Sequence, residues 1–482
     1  MAVFLVTLAS YVLRLVSNVA LSYVLYPEAF GLVAITTTVM VGLQNLFDTA
    51  MYVGMVGRKG DIPRAELDSF WTLQFGRGVV ITALSFALGP LIAWIYGEPE
   101  LTFLLGAGSL SLLLNGLASL RPILEVRKGR PELLMNLEVA RQVLSAIGII
   151  AVGLYYPSPW AIVWGGLIGG IAYVILSYWG DSYRPRIFMQ RGFMSEQLRF
   201  MRWFQVASMF SFMGAQVDKI VFPLFFGASL FGVYTIAQTL AMIPLALGQR
   251  WAFQVFMPAI QRILHDGDRL DHVDALRPRM IAMTYAAILC AGVVAASGPF
   301  FSWVYPADFA LAATFSPLMA VAIFFNLSEA ALRQPFIVSR RQMFDALGEV
   351  SRLAIFLSLI GILIYGREAD AMRYIQIYVV TQIIVYFAYV VLARGFHFTR
   401  LRGEAIPLLA FIVLSAVFYG LAQVSWAALG PVAALLILGI VGGAALLLMF
   451  RRYGLPRAHR GDETVAGDAG AERQPGEAAT VV

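Results

Sequence analysis

Charged side chains stand inside several long apolar runs of this chain, where a charge is costly unless it faces water or a partner. Electrostatic binding is the chemistry that such residues can do. A desolvated cation attracts an anionic group such as a phosphate, and a desolvated carboxylate can hold a proton or a small cation. Four cations are therefore candidates for lining a cationic cavity along a substrate path: Arg14, Arg77, Lys219 and Arg250.

Two acids in the apolar runs allow two interpretations. Asp48 and Asp218 are candidates for coupling to a proton or sodium gradient, or for charge pairing with nearby arginines. Residues that are adjacent in a helix do not face each other, so Asp218 and Lys219 are not expected to point at one spot. Apart from such a coupling ion, no cofactor is expected.

Two further pairs of charges share one pattern, Glu-x-x-Arg. They are Glu138 with Arg141, and Glu349 with Arg352. A spacing of three residues puts both members of a pair on one helix face, where they can bond to each other. One interpretation is structural, with neutralised charges near the membrane surface. The other is a gate formed by both pairs at the cytoplasmic mouth of a path.

The composition indicates that a lipid bilayer surrounds the helices that carry these charges. Of 482 residues, 60% are hydrophobic and 13% are charged, and the mean hydropathy is +0.76. Soluble domains are closer to half apolar and a quarter charged. The apolar runs are long enough for helices of roughly 20 residues that cross a bilayer. We predict an all-α polytopic membrane protein with about 14 transmembrane helices.

The connections between the runs differ in charge and length. One set consists of very short turns, and the other set is longer and rich in arginine. Because basic loops stay on the cytoplasmic side, both termini are predicted to be cytoplasmic in a multi-pass inner-membrane protein. The net charge of +6 follows from this topology, so no nucleic-acid partner is expected. With a single cysteine, Cys290, no disulfide within the chain is expected. No metal site is expected either, because no histidine lies in the apolar runs.

A repeated phrase indicates that the chain contains two similar halves. FGLVAITTT at 30–38 returns as FGVYTIAQT at 231–239, and LGPLIAWIY at 88–96 returns as SGPFFSWVY at 297–305. Each half holds six spans, an even number, so the halves have the same orientation. We predict two pseudo-symmetric six-helix lobes followed by two C-terminal helices, with these boundaries: residues 1–182, 183–398 and 399–452, then a disordered cytoplasmic tail at 453–482.

Three stretches carry a resemblance to a known family. They are LSYVLYPEAFGLVAITTTVM with the following Asp48, the turn YGEPEL, and QVDKIVFPLFFGASLFGVYTIAQTLAMIP. With them the chain resembles the Wzx-type polysaccharide flippases of the multidrug/oligosaccharidyl-lipid/polysaccharide exporter superfamily. The resemblance implies transport of an undecaprenyl-diphosphate-linked oligosaccharide between the leaflets of the cytoplasmic membrane. It also implies membrane lipids, a polysaccharide polymerase and a chain-length regulator as partners.

Other function classes remain open at this point. A multidrug or organic-cation antiporter of the same superfamily would be expected to carry more acids than cations in its spans, whereas this chain carries at least as many cations. A flippase for lipid II would differ in cargo only. A membrane-embedded polysaccharide polymerase or ligase would be expected to have sizeable outer loops or membrane histidines, so the chain is not expected to be an enzyme.

Overall fold

The chain folds into a bundle of long helices. A computed structural model describes residues 13–47, 62–180, 183–251, 273–339, 341–366, 370–396 and 401–453, together with residues 55, 60, 260, 398 and 399. Up to residue 180 the helices are α1 Leu13–Ser22, α2 Pro27–Leu46, α3 Arg64–Tyr96, α4 Leu101–Leu117, α5 Arg121–Arg127, α6 Glu132–Tyr155 and α7 Trp160–Tyr178. We call these helices the N-lobe.

The second half begins with a helix that is bent in its middle. The helices are α8 Arg191–Trp251, α9 Val273–Val304, α10 Ala312–Val338, α11 Gln342–Tyr365, α12 Ala371–Gly395, α13 Leu401–Leu429 and α14 Pro431–Tyr453. We call α8 to α12 the C-lobe. Gly227 divides α8 into two limbs, 191–226 and 228–251, because its φ of 74° is a left-handed value that favours glycine.

The helix count agrees with the hydropathy. Within the described residues, 11 helices are long and apolar enough to cross a membrane, and 12 do so when α4 and α5, bent by 57°, count as one span. Dividing α8 at Gly227 adds one span, and α1, whose described part is short, adds another. The prediction of an all-α, multi-span membrane fold is confirmed.

The turns of the bundle lie at two ends. The end that carries the tight turns at Tyr26, Gly97, Gly227 and Gly430 is called the short-loop end here, and the opposite end is called the long-loop end. One continuous apolar core joins α1 and α2 to α8, α9, α10 and α12. The two last helices, α13 and α14, pack against α9 and against each other. The predicted domain boundaries at residues 182 and 398 stay predictions.

Candidate translocation site

The repeated FG phrase forms the seam between the lobes at the short-loop end. Gly31 of α2 lies so close to the second limb of α8 that an added Cβ would be 1.8 Å from the carbonyl oxygen of Ala228. Gly232 of α8 makes the reciprocal approach, since its Cβ would be 1.8 Å from the carbonyl oxygen of Pro27. Only a residue without a side chain fits at such distances. The seam is thus pseudo-symmetric at the level of single residues.

Side chains extend this seam to neighbouring helices. The Tyr23 hydroxyl donates a hydrogen bond to the carbonyl of Val304 at 3.0 Å, and the Tyr96 hydroxyl donates to the carbonyl of Ile220 at 3.0 Å. Phe30 of the N-lobe packs edge-on against Phe309 of the C-lobe, with 5.6 Å between the ring centroids. Both repeated phrases therefore lie in one closed contact between the lobes.

An acid completes the seam. Glu98, in the turn between α3 and α4, accepts a hydrogen bond from the backbone N–H of Ala228, at the start of the second limb of α8. Burial in the seam raises the pKa of the Glu98 carboxyl, and the nearby charges of Glu28 and Glu100 add to this rise. The contact between Glu98 and Ala228 is a titratable link between the lobes.

Deeper in the bundle, Arg14 lies on the face of α1 that meets the C-lobe. The Asn18 amide, one turn further along the same face, donates to the Thr239 hydroxyl of α8 at 3.4 Å. Arg14 is exposed. It forms no ion pair with a residue that the structure describes, and Asp48, its alternative partner, lies outside those residues. Its role in the substrate path stays a prediction.

Lys219 presents a second positive charge from the opposite lobe. It is half-buried on the first limb of α8, where its ammonium is attracted by the charge of the adjacent Asp218 and, more weakly, repelled by Arg14. In the described part of the chain no carboxylate lies within salt-bridge distance of Lys219. Of the four predicted cavity cations, Arg14 and Lys219 are therefore within electrostatic range of each other.

Asp218 has a different environment from its neighbour. It is buried, its Oδ2 accepts a hydrogen bond from the Tyr234 hydroxyl at 2.5 Å, and its backbone carbonyl accepts one from Tyr374 at 2.8 Å. Its Oδ1 has no hydrogen-bond partner among the described residues. The carboxyl group is enclosed in the C-lobe core, and the backbone N–H groups of Asp218 and Lys219 and the Lys219 ammonium are near it. An ion-coupling role stays a prediction.

The structure gives few contacts for the remaining predicted site residues, Arg77, Arg250 and Asp48. Arg77 is half-buried on α3 and has an interaction partner. The backbone of Arg250 belongs to the second limb of α8, and its side chain, like all of Asp48, lies outside what the structure describes. Their predicted roles are untested.

Of the two Glu-x-x-Arg pairs, the one in the C-lobe belongs to a buried cluster. Glu349 accepts hydrogen bonds from Arg333 at 2.5 Å and from Arg352 at 2.8 Å. Arg352 also bonds to Glu329, which lies 3.6 Å from Arg333. Glu329, Glu349 and Arg352 are all buried. Two acids and two cations thus neutralise each other inside the lobe.

The pair in the N-lobe is more open. Arg141 donates to Glu138 at 2.6 Å, and their side chains are 35% and 37% exposed. The pair lines a cavity of about 490 Å³ inside the N-lobe, near the long-loop end. The predicted pairing within each Glu-x-x-Arg motif is confirmed, but the two motifs have different surroundings. A gating role for them stays a prediction.

Sequence reasoning missed one polar cluster. Arg279 of α9 donates to Glu404 of α13 at 2.6 Å, and Glu404 also accepts from Tyr386 of α12 at 2.9 Å. The sequence does place Arg279 and Glu404 near the ends of apolar runs. Because they are 125 residues apart, their spacing does not predict that they pair. The cluster links α13 to α9 and α12 of the C-lobe.

Two lobes joined by a pseudo-symmetric seam define a polytopic helical membrane protein. Residues 20–310, more than half of the chain, match a family model described as "Polysaccharide biosynthesis protein". The chain belongs to this family of polysaccharide biosynthesis proteins, as its resemblance to Wzx-type proteins predicted.

Two curated relatives match part of the chain. The lipopolysaccharide biosynthesis protein WzxC of Escherichia coli strain K12 is 23% identical over 265 residues, which cover 54% of this chain and 53% of WzxC. The amylovoran biosynthesis protein AmsL of Erwinia amylovora is 25% identical over 232 residues, covering 48% of this chain and 60% of AmsL. The matches therefore span between half and two thirds of each relative.

Solved structures match over most of the chain. The lipid II flippase MurJ in an inward closed conformation superposes with a TM-score of 0.69 at 13% identity, covering 94% of this chain and 99% of MurJ. An inward-facing multidrug resistance transporter of the MATE family, in the MOP superfamily, gives 0.59 at 12% identity, covering 82% and 95%. At these identities the likeness shows a shared fold.

Proposed function

We propose that the chain is a flippase for an undecaprenyl-diphosphate-linked oligosaccharide in the cytoplasmic (inner) membrane, serving surface polysaccharide or exopolysaccharide biosynthesis. The observation that carries this proposal is the pair Arg14 and Lys219. These cations lie within electrostatic range of each other on opposite lobes. Neither forms a salt bridge with a described carboxylate, although the adjacent Asp218 attracts Lys219. A diphosphate is the part of such a cargo that two cations would hold.

The physical chemistry of the cargo supports this assignment. A sugar hydroxyl that loses water without gaining a partner costs roughly 4–8 kcal/mol, and a diphosphate costs far more. An oligosaccharide headgroup therefore needs a polar, cationic path, whereas its prenyl chain can stay in the lipid. The same reasoning disfavours an organic cation as cargo, because Arg14 and Lys219 would repel it.

Alternating access would move the cargo. If the arginine-rich loops are cytoplasmic, as their charge predicts, the seam of Gly31 and Gly232 closes the outer side and both termini are cytoplasmic. Rocking of the lobes would then open the seam and release the headgroup outwards. In this scheme the protein makes and breaks no covalent bond, a proton or sodium gradient can drive the cycle, and a polymerase with its chain-length regulator would take up the product.

Complementation tests the proposal. A strain without the gene, and without a second flippase, should accumulate lipid-linked repeat units on the inner leaflet and lose surface polysaccharide. The intact gene should restore the polysaccharide, Arg14→Ala should not, and the exposed Lys128→Ala should do so as a matched loss of one cation. Normal surface polysaccharide in the deletion strain would contradict the proposal.

A further inference from the structure

The cavity in the N-lobe lies where the repeat would place the buried ion cluster of the C-lobe. In the C-lobe, α10 is continuous and carries Glu329 and Arg333 to the Glu349–Arg352 pair. In the N-lobe, the corresponding chain breaks at residues 118–120, where α4 gives way to α5 at an angle of 57°. The Glu138–Arg141 pair consequently lacks the two extra charges, and a cavity takes their place.

Arg121 shows how the N-lobe rearranges. It is the repeat counterpart of Arg333, but its Nη1 donates to the carbonyl of Trp179 at 2.5 Å and does not join the ion pair. The position of Glu329 has no acidic counterpart on the N-lobe side, where the lining of the cavity includes Ala118. The open space is therefore produced by a change of sequence and backbone in one of two similar halves.

The lining of this cavity is polar and neutral. The side-chain amides of Gln44 and Asn115 border it, and neither has a hydrogen-bond partner among the described residues. The Tyr173 ring forms part of the wall and lies under the Arg141 guanidinium, 5.7 Å from it. Glu138 cancels the charge of Arg141. Each amide offers both donors and an acceptor.

We propose that this cavity binds a neutral glycosyl residue of the cargo headgroup, entering from the long-loop end. This proposal rests on the proposed flippase function. Neighbouring hydroxyls of a sugar ring present donors and acceptors together, and so do the two side-chain amides and the Glu138–Arg141 pair. A volume of about 490 Å³ lies within the range of ligand pockets, roughly 300–1,000 Å³.

Other ligands suit the lining less well. An anion would meet the carboxylate of Glu138 beside the guanidinium that attracts it. For a metal ion, no group of three or more His, Cys, Asp or Glu side chains with suitable geometry exists within the described residues. The alternatives to a glycosyl residue in this cavity are therefore a diphosphate group and water alone.

Cysteine labelling tests the site directly. Cys290 is buried, so a low background is expected. Ser111→Cys and Met40→Cys, both at half-buried positions in the cavity wall, serve as two separate reporters. Inside-out vesicles are treated with a charged maleimide in the presence of the oligosaccharide released from the organism's own lipid-linked intermediates. At about ten times its Kd, the oligosaccharide should slow labelling roughly tenfold. Lys128→Cys, exposed outside the cavity, should label at an unchanged rate.

Three results would overturn the glycosyl site. They are no protection of either reporter, equal protection by inorganic diphosphate, and unchanged protection after Asn115→Leu is added to the reporter. Labelling measures occupancy without translocation. A deletion strain with normal surface polysaccharide would therefore refute the flippase function and leave the labelling result standing.

Discussion

Gly31 and Gly232 are equivalent residues of the two repeats, and they meet across the seam between the lobes. A Cβ added to Gly232 would lie 3.0 Å from the backbone nitrogen of Gly31. Gly31 also lies against Ala228, in the first turn of the second limb of α8, and Gly232 lies against Pro27, in the first turn of α2. The phrase that the chain repeats is therefore the surface on which its halves touch.

Alanine at either glycine should open this seam. The added Cβ would overlap a backbone oxygen, and we expect a cost of about 1–3 kcal/mol to the sealed form, which is roughly a 5- to 150-fold change in population. Labelling of Lys219→Cys by a charged reagent from the short-loop side should become correspondingly faster in Gly31→Ala or Gly232→Ala.

The matched control is Gly166→Ala on α7, whose Cβ would contact nothing within 4 Å. It should label like the parent protein. Equal labelling of all three glycine variants would show that the seam does not limit access.

Acidification should favour the sealed form. The pKa of Glu98 is raised in the seam by burial and by Glu28 and Glu100, so the sealed form binds a proton more readily than a form in which Glu98 is hydrated. The sealed fraction should rise as pH falls through the raised pKa. Labelling of Lys219→Cys from the short-loop side should therefore slow at low pH.

Glu98→Gln, which keeps an acceptor for the Ala228 N–H, should remove this pH dependence and label slowly at every pH. Glu132→Gln, an exposed acid at the start of α6, should keep it. A pH dependence that persists in Glu98→Gln would assign the titration to another group.

The two Glu-x-x-Arg motifs should differ in their importance for stability. Glu349→Ala leaves Arg333 and Arg352 with a single buried acid, and loss of one partner of a buried pair costs about 3–5 kcal/mol. Glu138→Ala breaks a partly exposed pair, worth about 0–1 kcal/mol. Thermal unfolding of the purified protein should show a clearly lower Tm for Glu349→Ala only. Similar losses would mean that the N-lobe pair is also structural.

Asp218 should matter for coupling. Its carboxyl is buried in a membrane-spanning helix, and one of its oxygens has no hydrogen-bond partner in the described part of the chain. Such a group is a candidate for exchanging a proton or a small cation. In proteoliposomes, Asp218→Asn should make flipping insensitive to an imposed proton or sodium gradient. Asp370→Asn, an exposed acid in a turn, should respond like the parent protein. A gradient response that survives in Asp218→Asn would contradict the coupling role.

The sequence by itself determined the helical membrane fold, the repeat and the bonding within each Glu-x-x-Arg motif. A bilayer requires each spanning segment to satisfy its own backbone, so the apolar runs translate directly into helices. Glu138 and Arg141 pair because their spacing on one helix requires no information from elsewhere.

Only the tertiary structure decided which distant groups meet. The positions of Gly31 and Gly232 were readable as a repeat, but their contact depends on how two lobes dock. Likewise, Glu349 sits in a buried cluster whereas Glu138 borders a cavity, because one helix continues where its counterpart breaks. Long-range packing, not local spacing, sets the dielectric environment and the partners of each charge.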